Sequence, residues 1–347
     1  NLKTLAEARR VRAELNADVS RGEYRADTKI TFAAYAEAWA DTYAGRTNRG
    51  LRPETLEEYR RDIKPAIAYF GRMRLAEVSP QTVKEYVRHL EQKGQTDREG
   101  KTSPLKSATV RRKLAPLKAL FATAVEEGIL RSSPTVGLRI GSSQAEITEQ
   151  AGEEQVKALS TDELGRLVLE VPEGWQRLMV SLLAQSGLRL SEALGLRWQD
   201  VDTTERRIRV RQRIRSGEAG APKSQKSRRE VPISSALARE LAAHRLATRW
   251  STAERYVFSG DTGKPRDSRN LYRWFKPAAE RAGVEWAGFH TLRHTAASRW
   301  LQSGVTIAQV ARLLGHHDPG FTLRVYISVM PADLPDGDAL AAAVGLD

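Results

Sequence analysis

The sequence predicts a mainly α-helical protein of two domains, the second of which holds a small antiparallel β-sheet. Apolar residues recur at helical spacing through most of the chain, whereas residues 206–217 alternate apolar and basic side chains with a period of two. Residues 141–157 have no apolar period and are rich in Gly, Ser, Gln and Glu, as in an exposed linker. At 347 residues the chain exceeds the size at which single hydrophobic cores usually stop growing. Two folded domains on either side of this linker are therefore expected.

The same patterns divide the chain into five segments. The segments are a charged helix with a thin apolar stripe in 1–29, a compact bundle of about four helices in 30–140, the linker in 141–157, the second domain in 158–330, and a tail with a short apolar helix in 331–347. Within the first bundle, Pro65 is expected to kink or restart a helix, and Ser107 is expected to cap the last one.

Composition and charge limit the classes of function that the protein can have. The formal net charge is +13, and arginine greatly outnumbers lysine among the basic residues. Because the planar guanidinium matches pairs of phosphate oxygens, this excess favours a nucleic-acid partner over a merely solvated basic surface. The chain has no cysteine, which excludes thiol nucleophiles, disulfides and zinc-finger cysteines. It has neither a long apolar run nor a signal-peptide pattern, so we expect a soluble, intracellular protein without a membrane partner.

Four of the six histidines fall within residues 289–326, beside an arginine and just before a tyrosine. His290 and Arg293 are three residues apart in a segment with helical apolar spacing, so both can face one pocket. A metal site is not predicted here, because no cysteine lies nearby and the arginines would repel a cation. The histidines and the arginine are therefore interpreted as one catalytic or binding cluster.

Two glycines define the helix ends within this stretch. Gly304 is expected to close the first helix, and a second short helix is predicted to begin at the cap residue Thr306 and to end at Gly315. His316 then lies on the loop just beyond. Tyr326 follows ten residues later in a half-buried apolar context. Imidazole, guanidinium and phenol groups can thus converge from neighbouring helix ends.

A second informative stretch is 186–202, which reads SGLRLSEALGLRWQDVD. Gly187 permits a tight turn, and Ser191 is predicted to cap the short helix that follows. Arg189 lies in this turn, where its donors and the helix N-terminus can together hold an anion. The alternative is that Arg189 only forms a local salt bridge with Glu192.

The stretch 206–217, RRIRVRQRIRSG, is predicted as one strand with an apolar face and an arginine face. The chain is expected to return along 223–233 as the partner strand of an antiparallel hairpin. Lys223 lies at the tip or in the first residues of this partner strand. It is a candidate proton donor, although it could equally hold a phosphate or be a solvated loop charge, and Lys226 competes for the same role.

Taken together, these positions resemble the tyrosine recombinases, specifically the phage-type integrases. The matching positions, in chain order, are Arg189, Lys223, His290, Arg293, His316 and Tyr326. The resemblance covers nearly everything from residue 30 onward, and it implies a helical core-binding domain followed by a catalytic domain, with the two closing on DNA as a clamp. Residues 1–29 would then be a linker or the remnant of an arm-binding module. Thr291 departs from the pattern, since the family more often has an acidic residue there.

The resemblance also implies a reaction. A phenol attacks a phosphodiester, the pentacoordinate phosphorane must be stabilised, and the departing 5′ oxygen must be protonated. By this resemblance Arg189 and Arg293 would bind the nonbridging oxygens, with His316 as a hydrogen-bond donor. Lys223 would be the general acid for the leaving group. His290 would act as general base or orient the site, and Tyr326 would be the nucleophile. No metal or other cofactor is implied.

The implied function is site-specific integration or excision of a phage or mobile element. Its partners would be double-stranded DNA attachment sites, a homotetramer on DNA, and an accessory DNA-bending or directionality factor, in the cytoplasm at the bacterial nucleoid. Three alternatives remain: a conjugative-transposon or dimer-resolution recombinase, a type IB topoisomerase, and a non-enzymatic helix-turn-helix DNA-binding protein.

Overall fold

A computed structural model describes residues 29–45, 50–96, 102–141, 157–215, 217–220, 228–316 and 318–327. The chain separates into two compact units, Asn1–Glu149 and Gln150–Asp347. Both units are mainly helical with small antiparallel sheets, which confirms the predicted fold class. The predicted helix in 1–29, the linker in 141–157 and the tail in 331–347 lie wholly or almost wholly outside the described residues.

The described part of the first unit contains four α-helices and one short antiparallel strand pair. These elements are α1 (Phe32–Thr42), α2 (Pro53–Phe70), α3 (Pro80–Lys93), β1 (Gln95–Thr96), β2 (Thr102–Ser103) and α4 (Ser107–Glu126). Aromatic rings make the centre of the bundle: the Phe32 ring lies 5.2 Å from that of Phe70 and 5.9 Å from that of Phe121, centroid to centroid. The strand pair was not predicted, because its residues carry no alternating apolar pattern.

Two details of the first unit differ from the prediction. Pro65 does not restart a helix, since α2 runs through it from Pro53 to Phe70. A proline inside a helix removes one backbone hydrogen bond, and the buried Ile63 and Ala66 on either side hold this helix together.

Ser107 is the first residue of α4 rather than its cap. Lys106 occupies the N-cap position, and the largely buried Ser107 hydroxyl accepts a hydrogen bond of 2.8 Å from Arg111 one turn later. Its hydroxyl therefore binds a side chain within the helix instead of a backbone amide at the helix start.

The described part of the second unit has eight α-helices and five short strands. They are α5 (Thr161–Glu170), α6 (Trp175–Ser186), α7 (Leu190–Leu194), β3 (Val201–Asp202), β4 (Arg207–Val210), β5 (Arg213–Arg215), β6 (Glu218–Gly220), β7 (Arg229–Pro232), α8 (Ser235–Ala247), α9 (Ser268–Arg281), α10 (Phe289–Gln302), α11 (Ile307–Leu314) and α12 (Pro319–Tyr326). A capping box begins α5, because the Ser160 hydroxyl accepts from the amide of Glu163 and the Glu163 carboxylate accepts from the amide of Ser160.

The strand predicted over 206–217 is two strands. In the three-stranded antiparallel sheet, β4 lies between β3 and β7, with Ile208 opposite Val231, whereas β5 pairs with β6 in a separate hairpin. The break falls at Gln212, whose side-chain amide donates a 2.7 Å hydrogen bond to the Gly195 carbonyl. A long-range contact therefore overrides the alternating pattern of the local sequence.

No helix in the described part of the chain is long and apolar enough to cross a membrane.

Candidate active site

Arg293 is at the centre of the site. It lies on α10, whose N-cap residue is Gly288, and the Thr291 hydroxyl accepts a 3.0 Å hydrogen bond from the Gly288 amide. Only 2% of Arg293 is exposed. Its Nη1 donates to the Gly187 carbonyl and its Nη2 to the Leu314 carbonyl, both at 2.7 Å. The guanidinium thus holds together the end of α6 and the end of α11.

These two carbonyls are correctly placed because both helices end at left-handed glycines. Gly187 has φ +61°, and a Cβ there would meet Leu314 at 2.9 Å and the Trp300 ring at 3.0 Å. Gly315 has φ +67°, and a Cβ there would approach the Arg229 guanidinium at 3.0 Å. Both positions therefore require glycine for conformation and for space.

His316 lies on the loop after Gly315, as predicted. Its Nε2 is 3.0 Å from Nη2 of Arg293, and its Nδ1 is 2.7 Å from the hydroxyl of Thr322. Arginine only donates hydrogen bonds, so Nε2 must accept and the ring proton must be on Nδ1. Burial, followed by the charge of Arg293, lowers the pKa of His316 to about 3, so the ring is neutral.

Tyr326 is at the end of α12 and only 1% exposed, with its ring packed in a small apolar cluster. Its hydroxyl is 2.8 Å from Nδ1 of His294. Burial raises the pKa of Tyr326 to about 12, although Arg293 and Arg189 act in the opposite direction. Burial also lowers the pKa of His294 to about 4, so a neutral imidazole faces a protonated phenol.

His290 is exposed on the first turn of α10 and lies beside His294, with the ring centroids 4.6 Å apart and edge to face. Partial desolvation, then the charges of Arg293 and Arg189, lower its pKa. His294, one turn further along the helix, is therefore the imidazole in contact with the phenol. The sequence analysis gave His294 no role, although the spacing of four residues from His290 is a helical signal that could have identified it.

Arg189 is fixed by a buried carboxylate. It occupies the N-cap position of α7, and its Nη1 donates to Glu192 at 2.8 Å while its backbone amide donates to the same side chain at 2.9 Å. The prediction that Ser191 caps this helix is wrong. The local salt bridge weighed as an alternative is present, and it leaves the Arg189 side chain 32% exposed.

Arg229, on β7, is a second partner of Glu192 that the sequence analysis missed. The two side chains are 4% and 3% exposed, and they form an ion pair of 2.9 Å. Arg229 also donates to the Leu313 carbonyl at the end of α11. Burial alone would raise the pKa of Glu192, but Arg229 and Arg189 outweigh it and hold the pKa below its usual value.

Replacing Glu192 with glutamine is expected to destabilise the second unit by about 3 kcal/mol, because Arg229 would keep a buried, uncompensated charge. Urea unfolding followed by tryptophan fluorescence measures this. The double variant Glu192→Gln/Arg229→Gln should recover part of the loss, since both charges are removed together. If the double variant lost as much stability as the two single variants together, Glu192 and Arg229 would not be a direct pair.

The structure brings five of the six predicted residues into one region. Arg293 contacts His316 directly. His294 contacts both the Tyr326 hydroxyl and the ring of His290. Arg189 acts on Arg293 and Tyr326 through its charge. Burial, then Arg189, lowers the pKa of Arg293 to about 9, which leaves the guanidinium protonated at neutral pH. Lys223 and its competitor Lys226 lie outside the described residues.

A cleft of about 590 Å³ opens beside His316. Its lining is strongly basic and includes Arg207, Arg228, Arg229 and Arg312, with a single acidic side chain, Glu230. A cleft with this charge attracts a polyanion to the group of residues around Arg293. Such an arrangement is suited to binding and activating a phosphodiester.

Family models match both units. The model described as the phage integrase family matches residues 157–332, and the one described as the phage integrase N-terminal SAM-like domain matches residues 46–128. A tyrosine recombinase XerC-like protein of Caldanaerobacter subterraneus subsp. tengcongensis is 30% identical over 301 residues, which cover 79% of this chain and 72% of that protein. The chain therefore belongs to the phage integrase family and is a tyrosine recombinase, an enzyme that cuts and rejoins DNA strands.

Solved structures agree on the fold. The Tn1549 transposon integrase in complex with a circular intermediate DNA aligns with a TM-score of 0.66 at 18% identity, over 91% of this chain and 99% of that one. A lambda integrase tetramer bound to a Holliday junction aligns with a TM-score of 0.61 at 17% identity, over 91% of this chain and 87% of that one. At these identities the match establishes a two-domain tyrosine recombinase fold.

Proposed function

We propose that this recombinase cleaves DNA through a 3′-phosphotyrosyl intermediate formed by Tyr326. The observation that carries the proposal is the buried Arg293, which bonds the ends of two helices and also His316, in the same region as the phenol. Such a preorganised cation is suited to the charge that develops on a phosphorane. Arg189, fixed by Glu192 yet still partly exposed, is suited to hold a nonbridging oxygen beside it.

The reaction is one transesterification. The Tyr326 oxygen forms a bond to phosphorus as the bond to the 5′ oxygen breaks, and a proton from Lys223 or Lys226 neutralises the leaving 5′ oxygen. The phosphotyrosyl bond conserves the energy of the broken bond, so a 5′ hydroxyl of a second strand can attack it in the reverse step. Because arginines supply the positive charge, the reaction as proposed uses no metal or nucleotide cofactor.

The phenol proton needs an acceptor, and two imidazoles compete for that role. His290 is the position implied by the family resemblance, but His294 is the imidazole within hydrogen-bond distance of the phenol. We assign His294 as the first acceptor in this conformation, with His290 next to it at the exposed rim. The raised pKa of Tyr326 means that the phenol is protonated in the free enzyme, so its proton has to leave as the bond to phosphorus forms.

We further propose double-stranded DNA attachment sites as the substrate. The basic cleft and the DNA-bound state of both structural relatives support this.

Exchange between two duplexes needs four active sites, so a homotetramer on DNA is the expected assembly, with the tail in 331–347 as a contact between protomers. An accessory bending or directionality factor is also expected. The biological role would be integration or excision of a phage or mobile element in the cytoplasm, with conjugative transposition or dimer resolution as the alternative.

The proposal is tested by trapping the covalent adduct. A duplex that the protein binds is selected from a random pool, and nicks are placed at successive positions so that the freed 5′-hydroxyl fragment diffuses away. In EDTA, wild-type protein should form an adduct that survives denaturing electrophoresis and carries the 3′-phosphate end of the cut strand. A 5′-linked adduct, or no adduct on well-bound DNA at any nick position, would contradict the proposed 3′-phosphotyrosyl chemistry.

A further inference from the structure

Thr322 is a buried hydroxyl that neither the family resemblance nor the proposed reaction uses. It lies on α12 one turn before Tyr326, is 0% exposed, and has its Oγ1 2.7 Å from Nδ1 of His316. The Phe321 ring packs edge-on against the same imidazole, 5.0 Å away centroid to centroid. The His316 ring is thus held from the side of the helix that carries the phenol.

The direction of each hydrogen bond follows from Arg293. Because a guanidinium has no acceptor atom, Nε2 of His316 accepts, Nδ1 carries the proton, and the Thr322 oxygen accepts from Nδ1. An imidazolium would face Arg293 with a second donor. The neighbouring cations Arg189 and Arg229 also disfavour that form.

The proposed reaction needs the opposite arrangement at His316. To donate to a nonbridging phosphate oxygen, Nε2 must carry the proton, and a neutral ring must then accept at Nδ1. We propose that Thr322 is the positioning residue that allows His316 to change tautomer, its hydroxyl accepting from Nδ1 in the free enzyme and donating to Nδ1 when phosphate replaces Arg293 as the partner of Nε2. This inference rests on the proposed function.

The proton balance is simple. Solvent takes the proton from Nδ1 and another solvent proton binds Nε2, so the ring is neutral before and after. The hydroxyl rotates about its C–O bond and needs no movement of the backbone. Only a group that both donates and accepts can serve both tautomers, so serine can replace Thr322 whereas the isosteric valine cannot.

The tautomer is measured directly by NMR on deuterated protein carrying ¹⁵N-labelled histidine, with the His316→Asn variant used to assign the signals. Free wild-type protein should show His316 as the neutral Nδ1–H form. The Tyr326→Phe variant, bound to the selected duplex and unable to cut it, should show the neutral Nε2–H form. The same tautomer in both samples, or an imidazolium on DNA, would overturn the inference.

Kinetics separates this role from a merely structural one. In Thr322→Val the rate of covalent adduct formation should be at least about tenfold lower than in wild type, and the DNA concentration that gives half-saturation should change less than twofold. Thr322→Ser should restore most of the rate. A wild-type rate in Thr322→Val would overturn the inference alone. Absence of any adduct with wild-type protein on bound DNA would overturn the proposed function as well, so the two failures are distinguishable.

Discussion

Replacing Tyr326 with phenylalanine is expected to abolish the covalent protein–DNA adduct, lowering its rate of formation by a factor on the order of 10⁴ or more. The change removes the only oxygen of the side chain and leaves its ring in the same apolar cluster. Adduct formation on the nicked duplex is measured beside DNA binding in a gel-shift assay, and binding should be unchanged. The loss of the hydrogen bond to His294 should destabilise the protein by only about 1 kcal/mol.

The matched control for this variant is Tyr272→Phe. Tyr272 is 41% exposed on α9, so loss of its hydroxyl should leave the rate of adduct formation within about twofold of wild type. An adduct in Tyr326→Phe and none in Tyr272→Phe would move the nucleophile to Tyr272. That result would also remove the functional meaning of the contact between His294 and Tyr326.

Arg293→Lys should have the second largest effect, a loss of about 10² to 10³ in the rate of adduct formation. Lysine keeps the charge but cannot bond the Gly187 carbonyl, the Leu314 carbonyl and His316 together in the planar arrangement of a guanidinium. Single-turnover cleavage at saturating DNA measures this chemical step separately from binding. Arg293→Gln should also unfold more easily, by about 2–4 kcal/mol, because charged hydrogen bonds to two buried carbonyls are lost.

Arg299→Lys is the control for Arg293→Lys. Arg299 is on the same helix but exposed, and it donates to the Leu159 carbonyl and to Gln302. Its replacement should change the cleavage rate less than twofold. Equal losses in the two variants would indicate that the effect comes from α10 as a whole rather than from the guanidinium at the centre of the site.

Helix ends in the site could be predicted from sequence because they depend on neighbouring residues. The prediction that Thr306 caps α11 is confirmed by its hydrogen bond from the Gln309 amide. Gly304 and Gly315 adopt the left-handed conformation expected of them, with φ of +88° and +67°. These local rules placed His316 on its loop correctly.

Contacts between distant segments could not be predicted in this way. Arg229 is 37 positions from Glu192, and no spacing rule connects a strand residue to a helix start that far away. The break of the predicted strand at Gln212 likewise depends on the Gly195 carbonyl. His294 is different, because it lies four residues from His290, which is a helical spacing that the sequence shows. The resemblance to the family assigns a role to His290 and none to His294.

The identity of the nucleophile is tested most directly by mass spectrometry of the adduct. After nuclease and trypsin digestion, the account predicts a nucleotide remnant on the peptide that begins at Val325, which contains a single tyrosine, Tyr326. Fragmentation should place the added mass on that phenol. A remnant on the peptide that contains Tyr256 or on the one that contains Tyr272 would contradict the account.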